Sequence, residues 1–391
     1  MKATKRYSLT QLLLSALLGM TLTLAAVTAF LWFALGPESL TLLEAWGIVN
    51  TRFVGEYDKE TAIDSALEGM VKGLGDRWSY YVNEEQNIAQ RQRRNNSYVG
   101  IGVTVDYADP RGLKLLAVKK DGPAWEAGLR PEEIITAVDG VSLAGEEAQQ
   151  KGVDLIQGEE GTTVRLTVLN PAGESREVEA IRAAIQNESV TSYELLEGGV
   201  GYVALANFYS GSADQLNAAV DDLVEQGATA LIFDMRNNGG GYVHELTQML
   251  DHLLPEGPIF SAWGREGRME VTQSDESCVD LPMVTLVNAN TYSAAEFFAA
   301  QLKESVGASI VGEPTSGKGF SQQSIELMNG GALNISTGKY ATGAGVSLVG
   351  TGLPLDEEII LDEVQGAALQ AGLLSREEDL QLQKAIELLS R

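Results

Sequence analysis

Histidine and cysteine are the scarcest reactive side chains in this 391-residue sequence, with two of the first and one of the second. A lone Cys278 excludes an internal disulfide framework. His244 and His252 are too few to build a convincing metal cluster, and no metal or other cofactor is expected. Basic residues are short as well. The 28 Lys and Arg stand against 54 Asp and Glu, a formal charge of -26, and no stretch resembles a basic face. Nucleic acid is therefore not an expected partner. No Gly-Lys-Ser/Thr triplet is present, so a phosphate-binding P-loop does not fit. Ser293 lacks a lysine three residues on, where Glu296 stands, so the Ser-x-x-Lys pattern is not met there. Glycine, by contrast, is plentiful at 42, which suits many turns. The length allows two or three domains and a sizeable core.

Lys2, Lys5 and Arg6 precede residues 12–35, a run of 24 without a charge. At ~1.5 Å per residue, about 20 apolar residues span a bilayer. The run exceeds a usual signal-peptide core, and no small-x-small cleavage site closes it. Residues 1–37 are expected to be a cytoplasmic stub and an uncleaved signal anchor. The basic end would stay inside a cell membrane crossed once, leaving the rest of the chain extracytoplasmic. A long cleavable signal peptide is the rival reading. Residues 38–95 read as a helical, polar N-terminal region, with apolar residues at helical spacing over 40–54 and 61–73.

Residues 281–323 carry the densest chemical signal. A buried strand is expected over 281–287, then an Asn-rich turn, then Ser293, then a helix over 294–305. A serine at a strand-to-helix turn is exposed, and the first helical N–H groups point at incoming negative charge. A second strand over 308–311 leads to glycines bracketing Lys318, with Gln322 four residues on and on the same strand face. The two loops can converge at one sheet edge as a Ser–Lys dyad. The lysine acts as a base only when neutral, so it must be desolvated, and Gln322 could hold its amine in line. The plainer reading makes Ser293 a helix cap, Lys318 a surface charge and Gln322 a strand filler.

Thr291-Tyr-Ser-Ala-Ala-Glu296, then Gly312-Glu-Pro-Thr-Ser-Gly-Lys-Gly319, then Gln322 resemble the active-site region of the C-terminal processing proteases, also called tail-specific proteases. The resemblance implies Ser293 as nucleophile, Lys318 as general base and Gln322 as its positioner. Thr291, Tyr292 and Ser316 depart from the family signature. Asp234-Met-Arg-Asn-Asn-Gly-Gly-Gly241 is similar to the family's glycine loop, with Gly239 in place of a proline, and implies an oxyanion hole made by the Gly240 and Ala294 N–H groups. The segment from Asp76 to Gln86 resembles the family's N-terminal region and reads here as packing with aromatic anchors. His244, three residues into the helix after the glycine loop, keeps a histidine-based triad in view.

Residues 96–182 resemble a PDZ domain through Tyr98-Val-Gly-Ile-Gly-Val103, the segment from Gly122 to Gly140, and Gly158-Glu-Glu-Gly161. Strands are expected over 100–105, 113–118, 134–138, 164–169 and 177–181, with a helix over 145–156. Such a module adds an extended peptide as a strand and captures its carboxylate on loop N–H groups. Val99, Gly100, Ile101, Gly102 and Val103 are the candidate loop. The remaining 183–391 is the protease domain with a C-terminal helical segment; a helix capped by Ser212 is expected over 212–226 and a short strand over 346–348.

The expected fold is thus α/β, a crotonase-like protease core with a β-rich PDZ domain, helical N- and C-terminal segments and one transmembrane helix. The expected function is a membrane-anchored serine endopeptidase. It would cut near the C-terminus of exported proteins with apolar C-termini, gated by the PDZ domain. Self-association into a homo-oligomer is left open. An inactive PDZ adaptor or chaperone, with Tyr292 occluding the serine, is the alternative; a crotonase-like acyl-transfer enzyme is a third.

Overall fold

The computed structural model describes residues 8–267 and 269–390, so the basic stretch with Lys2, Lys5 and Arg6 lies outside the described residues. The chain divides into two units, Met1–Ser65 and Ala66–Arg391. In the first, one helix runs Leu9–Arg52 and is interrupted at Gly36 (φ 75°, ψ 164°) just before Pro37. Proline disfavours helical backbone in the residue before it, and glycine takes the positive φ without strain. Ahead of the break, Leu13–Phe30 has a mean hydropathy of 2.0 and is wholly exposed. The hydroxyls of Thr21, Thr23 and Thr28 donate to carbonyls one turn back, so the polar groups of this apolar stretch are satisfied internally. By length and composition the helix could cross a membrane.

The second unit is built around a six-stranded sheet. Its order is Val190–Leu196, Val200–Leu205, Ala230–Asp234, Met283–Val287, Ser309–Gly312 and Glu357–Glu358. The first pair is antiparallel and every later pair is parallel. Ala230–Asp234 and Met283–Val287 are buried throughout, as central strands covered on both faces must be. Alternation sorts their side chains. Leu231 and Phe233 face a core shared with helices Ser212–Glu225, Val243–Leu253 and Ala294–Val306, whereas Ile232 and Val284 face the C-terminal helix Leu380–Leu389. Ser212 is the first helical residue rather than the cap. Gly211, at φ 80°, takes the cap position, and the buried Glu245 accepts from the Gly211 and Ala213 N–H groups and the Ser212 hydroxyl. A glycine adopts the left-handed conformation that the entry requires, and a glutamate from the next helix does the capping.

An antiparallel sheet adjoins this layer. Ala332–Ala341 pairs with Tyr80–Val82, Gly257–Gly264 and Phe320–Glu326. Residues 346–348, expected as a strand, form a loop, because the Gly343, Gly345 and Gly350 turns leave too little chain for a ladder. A two-stranded ladder, Ser97–Gly100 with Ala183–Gln186, marks where the chain enters and leaves a β-rich module. That module carries its own core, with Ile101, Leu113, Leu129, Ile135 and Leu166 fully buried. Its sheet runs Val103–Asp106, Leu113–Val118, Ile134–Val138, Thr163–Leu169, Ser175–Ile181, so Val103–Asp106 is an edge strand with one side unpaired.

Arg236 ties the C-terminal helix to the central sheet. It is 7% exposed, and its guanidinium donates to Asp234, to Asp379 at 2.9 Å and to Gln381 at 3.1 Å. Tyr202 adds a hydroxyl to Asp234 at 2.7 Å. Replacing Arg236 by alanine strands two buried carboxylates, which typically costs about 3–5 kcal/mol. Urea unfolding of Arg236→Ala should show that loss; a change under ~1 kcal/mol would mean the network contributes nothing.

Candidate active site

Three loops meet at the carboxyl ends of the parallel strands, where open α/β sheets place their ligands. Met235–Gly241 follows Ala230–Asp234, the Asn-rich turn follows Met283–Val287, and 313–319 follows Ser309–Gly312. The first two are laced together. The Asn237 N–H and the Asn288 carboxamide bond one another's side chains at 2.9 and 3.0 Å, and Thr291 donates to the Met235 carbonyl at 2.7 Å. Thr291, one departure from the family signature, is therefore a buried strut.

Ser293 heads the helix Ala294–Val306 with φ 62° and ψ −127°. A non-glycine residue there stores about 1–3 kcal/mol of strain. Glu296 holds it in place by accepting its N–H at 3.0 Å. The same carboxylate accepts the Thr315 hydroxyl at 2.6 Å and the Gly317 and Lys318 N–H groups at 2.8 and 2.9 Å. One buried side chain thus joins the serine loop to the lysine loop.

Lys318 and Gln322 come together as the spacing implied, with Nζ donating to Oε1 at 2.7 Å. The Gln322 amide in turn donates to the Trp78 carbonyl, which fixes which end of the carboxamide faces the lysine. The ammonium lies 4.9 Å from the Trp78 ring centroid and 5.8 Å from that of Tyr292. Burial, helped by the charge of Arg94 and opposed by those of Asp76 and Glu296, brings Lys318 down from 10.5 to about 8. Asp76 is itself stabilised in its charged form. Burial works against it, but the Ser336, Ser79 and Trp78 hydrogen bonds and the charge of Lys318 prevail, and its carboxyl lies below the usual range.

Sequence reasoning missed Trp78, Asp76, Arg94 and Tyr340. The 76–86 segment was read as packing, yet its backbone positions Gln322. Tyr340, 3% exposed, donates to the Lys318 carbonyl at 3.2 Å and is hydrogen-bonded to Ser293 Oγ at 2.9 Å. Burial raises its pKa, so it stays a neutral phenol. The hydroxyl of Ser293 is therefore engaged by Tyr340 rather than by Lys318. Nothing in the flanking residues marks this tyrosine, which reaches the site through strand pairing alone.

Gly240 and Ala294 also meet. A Cβ on Gly240, whose φ is 79°, would lie 2.8 Å from the Ala294 nitrogen and 2.9 Å from Ser293 Cβ, so only glycine fits. The Gly240 N–H, however, donates to Asn238 Oδ1 at 2.8 Å. It joins an oxyanion site only when Asn238 releases it. Tyr292 stands against the Gly239 backbone and beside Trp78, at 6.2 Å between ring centroids, as a wall of the cleft. His244 is 62% exposed, stacks on Tyr242 at 5.1 Å and does not line the cavity that holds Ser293 and Lys318. That cavity, of about 1210 Å³, has Leu246, Phe260 and Phe320 on its apolar side. In the β-rich module, Val99 and Gly100 lie in the entry ladder and Val103 opens the edge strand. Ile101 is buried, and Gly102 turns between them at φ 78°.

Residues 199–359 match the model of peptidase family S41, and residues 115–170 match that of a PDZ domain. The chain is 32% identical over 307 residues to the carboxy-terminal processing protease CtpA of Bacillus subtilis, covering 78% of this chain and 65% of that protein. It is 28% identical over 380 residues to the chloroplastic C-terminal processing peptidase of Tetradesmus obliquus, covering 87% of this chain and 82% of that one. The fold is shared with a solved structure from Bacteroides fragilis assigned to the S41 proteases, at TM-score 0.51 and 17% identity, over 86% of this chain and 98% of that one. The chain thus spans less than two thirds, 65%, of the Bacillus relative's length.

The depressed lysine carries a stability signature. Its folded-state pKa, about 8, lies below the unfolded value of 10.5, so at pH 7 the charged form prefers the unfolded chain. At ~1.4 kcal/mol per pH unit this destabilises the fold by about 3 kcal/mol near neutrality. The penalty fades as pH rises from about 8 to 10.5. Lys318→Met should unfold at higher urea than wild type at pH 7, with the gap closing towards pH 10. A Met variant less stable at pH 7 would contradict a desolvated ammonium.

Proposed function

We propose that this chain, a member of peptidase family S41 with a PDZ domain, is a serine endopeptidase that cuts protein substrates near their C-termini. The observation that carries the reading is a lysine brought to about 8, positioned by Gln322, in one cleft with a strained serine at a helix N-terminus. At pH 7 roughly a tenth of such lysines are neutral, against fewer than one in a thousand at the ordinary value.

On this reading the Ser293 hydroxyl turns from Tyr340 to Lys318 and attacks the scissile carbonyl carbon as Nζ takes its proton. The tetrahedral oxyanion sits on the Ala294 N–H and, once freed from Asn238, on that of Gly240. Lys318 returns the proton to the leaving amine, then activates a water that hydrolyses the acyl-enzyme. Gln322 and the Trp78 carbonyl behind it keep Nζ on line. Leu246, Phe260 and Phe320 favour an apolar side chain beside the cut.

The domain assignment that goes with this function is 1–37, 38–95, 96–182 and 183–391, the last with a crotonase-like core supported by its run of parallel strands and helical crossovers. The exposed apolar helix favours a single-pass anchor in the cell membrane with the catalytic part extracytoplasmic. The unpaired edge of Val103–Asp106 suits a substrate tail added as a strand, its carboxylate taken by the Val99–Val103 loop, and the entry ladder is the natural hinge for gating by the PDZ domain. An adaptor without proteolytic activity is the alternative.

Two measurements test the proposal. With an unstructured protein ending in an apolar tail, kcat/KM of the full chain should rise about tenfold per pH unit and level off above pH 8, and Ser293→Ala and Lys318→Ala should each lose at least ~10³-fold. Activity that survives Lys318→Ala would overturn the dyad; no cleavage by wild type, with tail binding intact, would favour the adaptor. Amidating the tail of a bound peptide should weaken its affinity by about tenfold or more. Equal affinity of acid and amide would refute carboxylate capture by the Val99–Val103 loop.

A further inference from the structure

The charge of the cleft is opposite to that of the chain. The sequence carries -26, yet Arg77, Arg91, Arg93, Arg94 and Lys318 all line the cavity, and Glu326 is the one carboxylate among the lining residues. Glu326 is already paired with Arg91 at 3.0 Å. Arg77 leans on the Trp78 ring at 4.4 Å and donates to the Ser316 carbonyl. Among the described residues, no carboxylate lies within ion-pair distance of Arg77, Arg93 or Arg94. In a chain with almost two acidic residues for each basic one, unpaired guanidiniums gathered at one cavity are not a matter of composition.

The helix Glu84–Arg94 explains part of the arrangement. Its last turn holds Arg91, Arg93 and Arg94, and positive charge at a helix C-terminus interacts well with the macrodipole. That attraction is satisfied by any outward direction around the turn. It does not explain why Arg94 lines the same cavity as Lys318, whose ammonium its charge disfavours, since like charges repel in a desolvated cleft. An anion bound between them would relieve the repulsion, and an arginine pair offers a carboxylate the planar, two-pronged donors that fit it.

We propose that Arg93 and Arg94 form a subsite for a substrate carboxylate close to the scissile bond. The ligand class is a peptide bearing either an acidic side chain within a few residues of the cut or its own free C-terminus there. The inference rests on the peptidase reading and adds a charge preference to the apolar one. It makes the cleft, and not only the PDZ domain, a reader of substrate chemistry.

The test uses the full chain and a peptide series with an apolar residue at the cut. Asp replaces Asn at each position within four residues on either side, each as free acid and as amide. Cleavage is followed at pH 9, above the Lys318 pKa of about 8, and each Asp-to-Asn ratio is taken within one enzyme, so that a change in the lysine cancels. At one or two positions wild type should prefer Asp by about tenfold in kcat/KM, an advantage that shrinks with added salt. Arg93→Gln/Arg94→Gln should bring the Asp-to-Asn ratio near one. A preference that follows the free terminus and vanishes on amidation assigns the carboxylate to the tail's end; one that ignores amidation assigns it to the side chain. No preference in wild type, or a preference that survives the double variant, overturns the subsite while leaving the peptidase intact. If nothing is cleaved, anisotropy of the labelled peptides on Ser293→Ala reads the same ratio as affinity, and equal binding of Asp and Asn peptides overturns the subsite independently.

Discussion

The site depends on one carboxylate. Glu296 is fully buried, and its two oxygens take four donors: the Ser293, Gly317 and Lys318 backbone N–H groups and the Thr315 hydroxyl. A buried carboxylate with no such partners would cost several kcal/mol, and each donor here is a backbone group or short side chain with little freedom to leave. The consequence is geometric. The serine loop and the lysine loop follow different strands, 25 residues apart in sequence, and this carboxylate bonds the backbone of both, as the Tyr340 hydroxyl bonds Ser293 Oγ and the Lys318 carbonyl. It also supplies what keeps Ser293 at a positive φ, since the strained residue's own N–H is one of the four. A conservative change to glutamine would keep the shape but replace one acceptor oxygen with a donor facing N–H groups.

Around that tie, the two sheets divide the labour. Parallel strands deliver the glycine loop and the serine turn side by side, because consecutive parallel strands end on the same edge. The antiparallel sheet delivers the hydrogen-bond partners of the lysine side chain and carbonyl. Tyr80–Val82 pairs with Ala332–Ala341, which pairs with Phe320–Glu326. Gln322 and Tyr340 are thereby placed at Lys318 by ladder register, and Trp78 reaches Gln322 from just ahead of the Tyr80–Val82 strand. The register shift between Ser321 and Gln322 lets the carboxamide face Nζ.

This division explains what was legible in the sequence. Ser293, Lys318 and Gln322 lie in one short stretch, so motif and spacing reveal them. Most strands of the central sheet and of the β-rich module announce themselves by apolar runs between turn residues. The Trp78–Gln322 bond spans 244 positions and the Ser293–Tyr340 bond 47, and neither residue type is rare enough to point at its partner. Ser212 misled because its preference for caps is real but weak, and a left-handed glycine with a glutamate from another helix outcompeted it. The loop at 346–348 misled because three β-favouring residues are fewer than a ladder needs once glycine turns flank them.

Two hydrogen bonds hold reactive groups in the wrong place for the proposed chemistry: Ser293 to Tyr340, and the Gly240 N–H to Asn238. Both partners are buried. A typical neutral hydrogen bond contributes about 1 kcal/mol net, so breaking both together costs about 2 kcal/mol. That is roughly a thirtyfold bias against the aligned state. Such a gap suits the proposed peptidase activity, because it is small enough for substrate binding to overcome and large enough to suppress idle turnover. Lys318 adds to the same logic, since its desolvation weakens the fold at neutral pH in exchange for a fraction of neutral amine. The strain at Ser293 and the buried ammonium are tolerable only because rigid ties flank them: Glu296 on one side, and on the other the Arg236 network that anchors the C-terminal helix beneath the strand feeding the glycine loop.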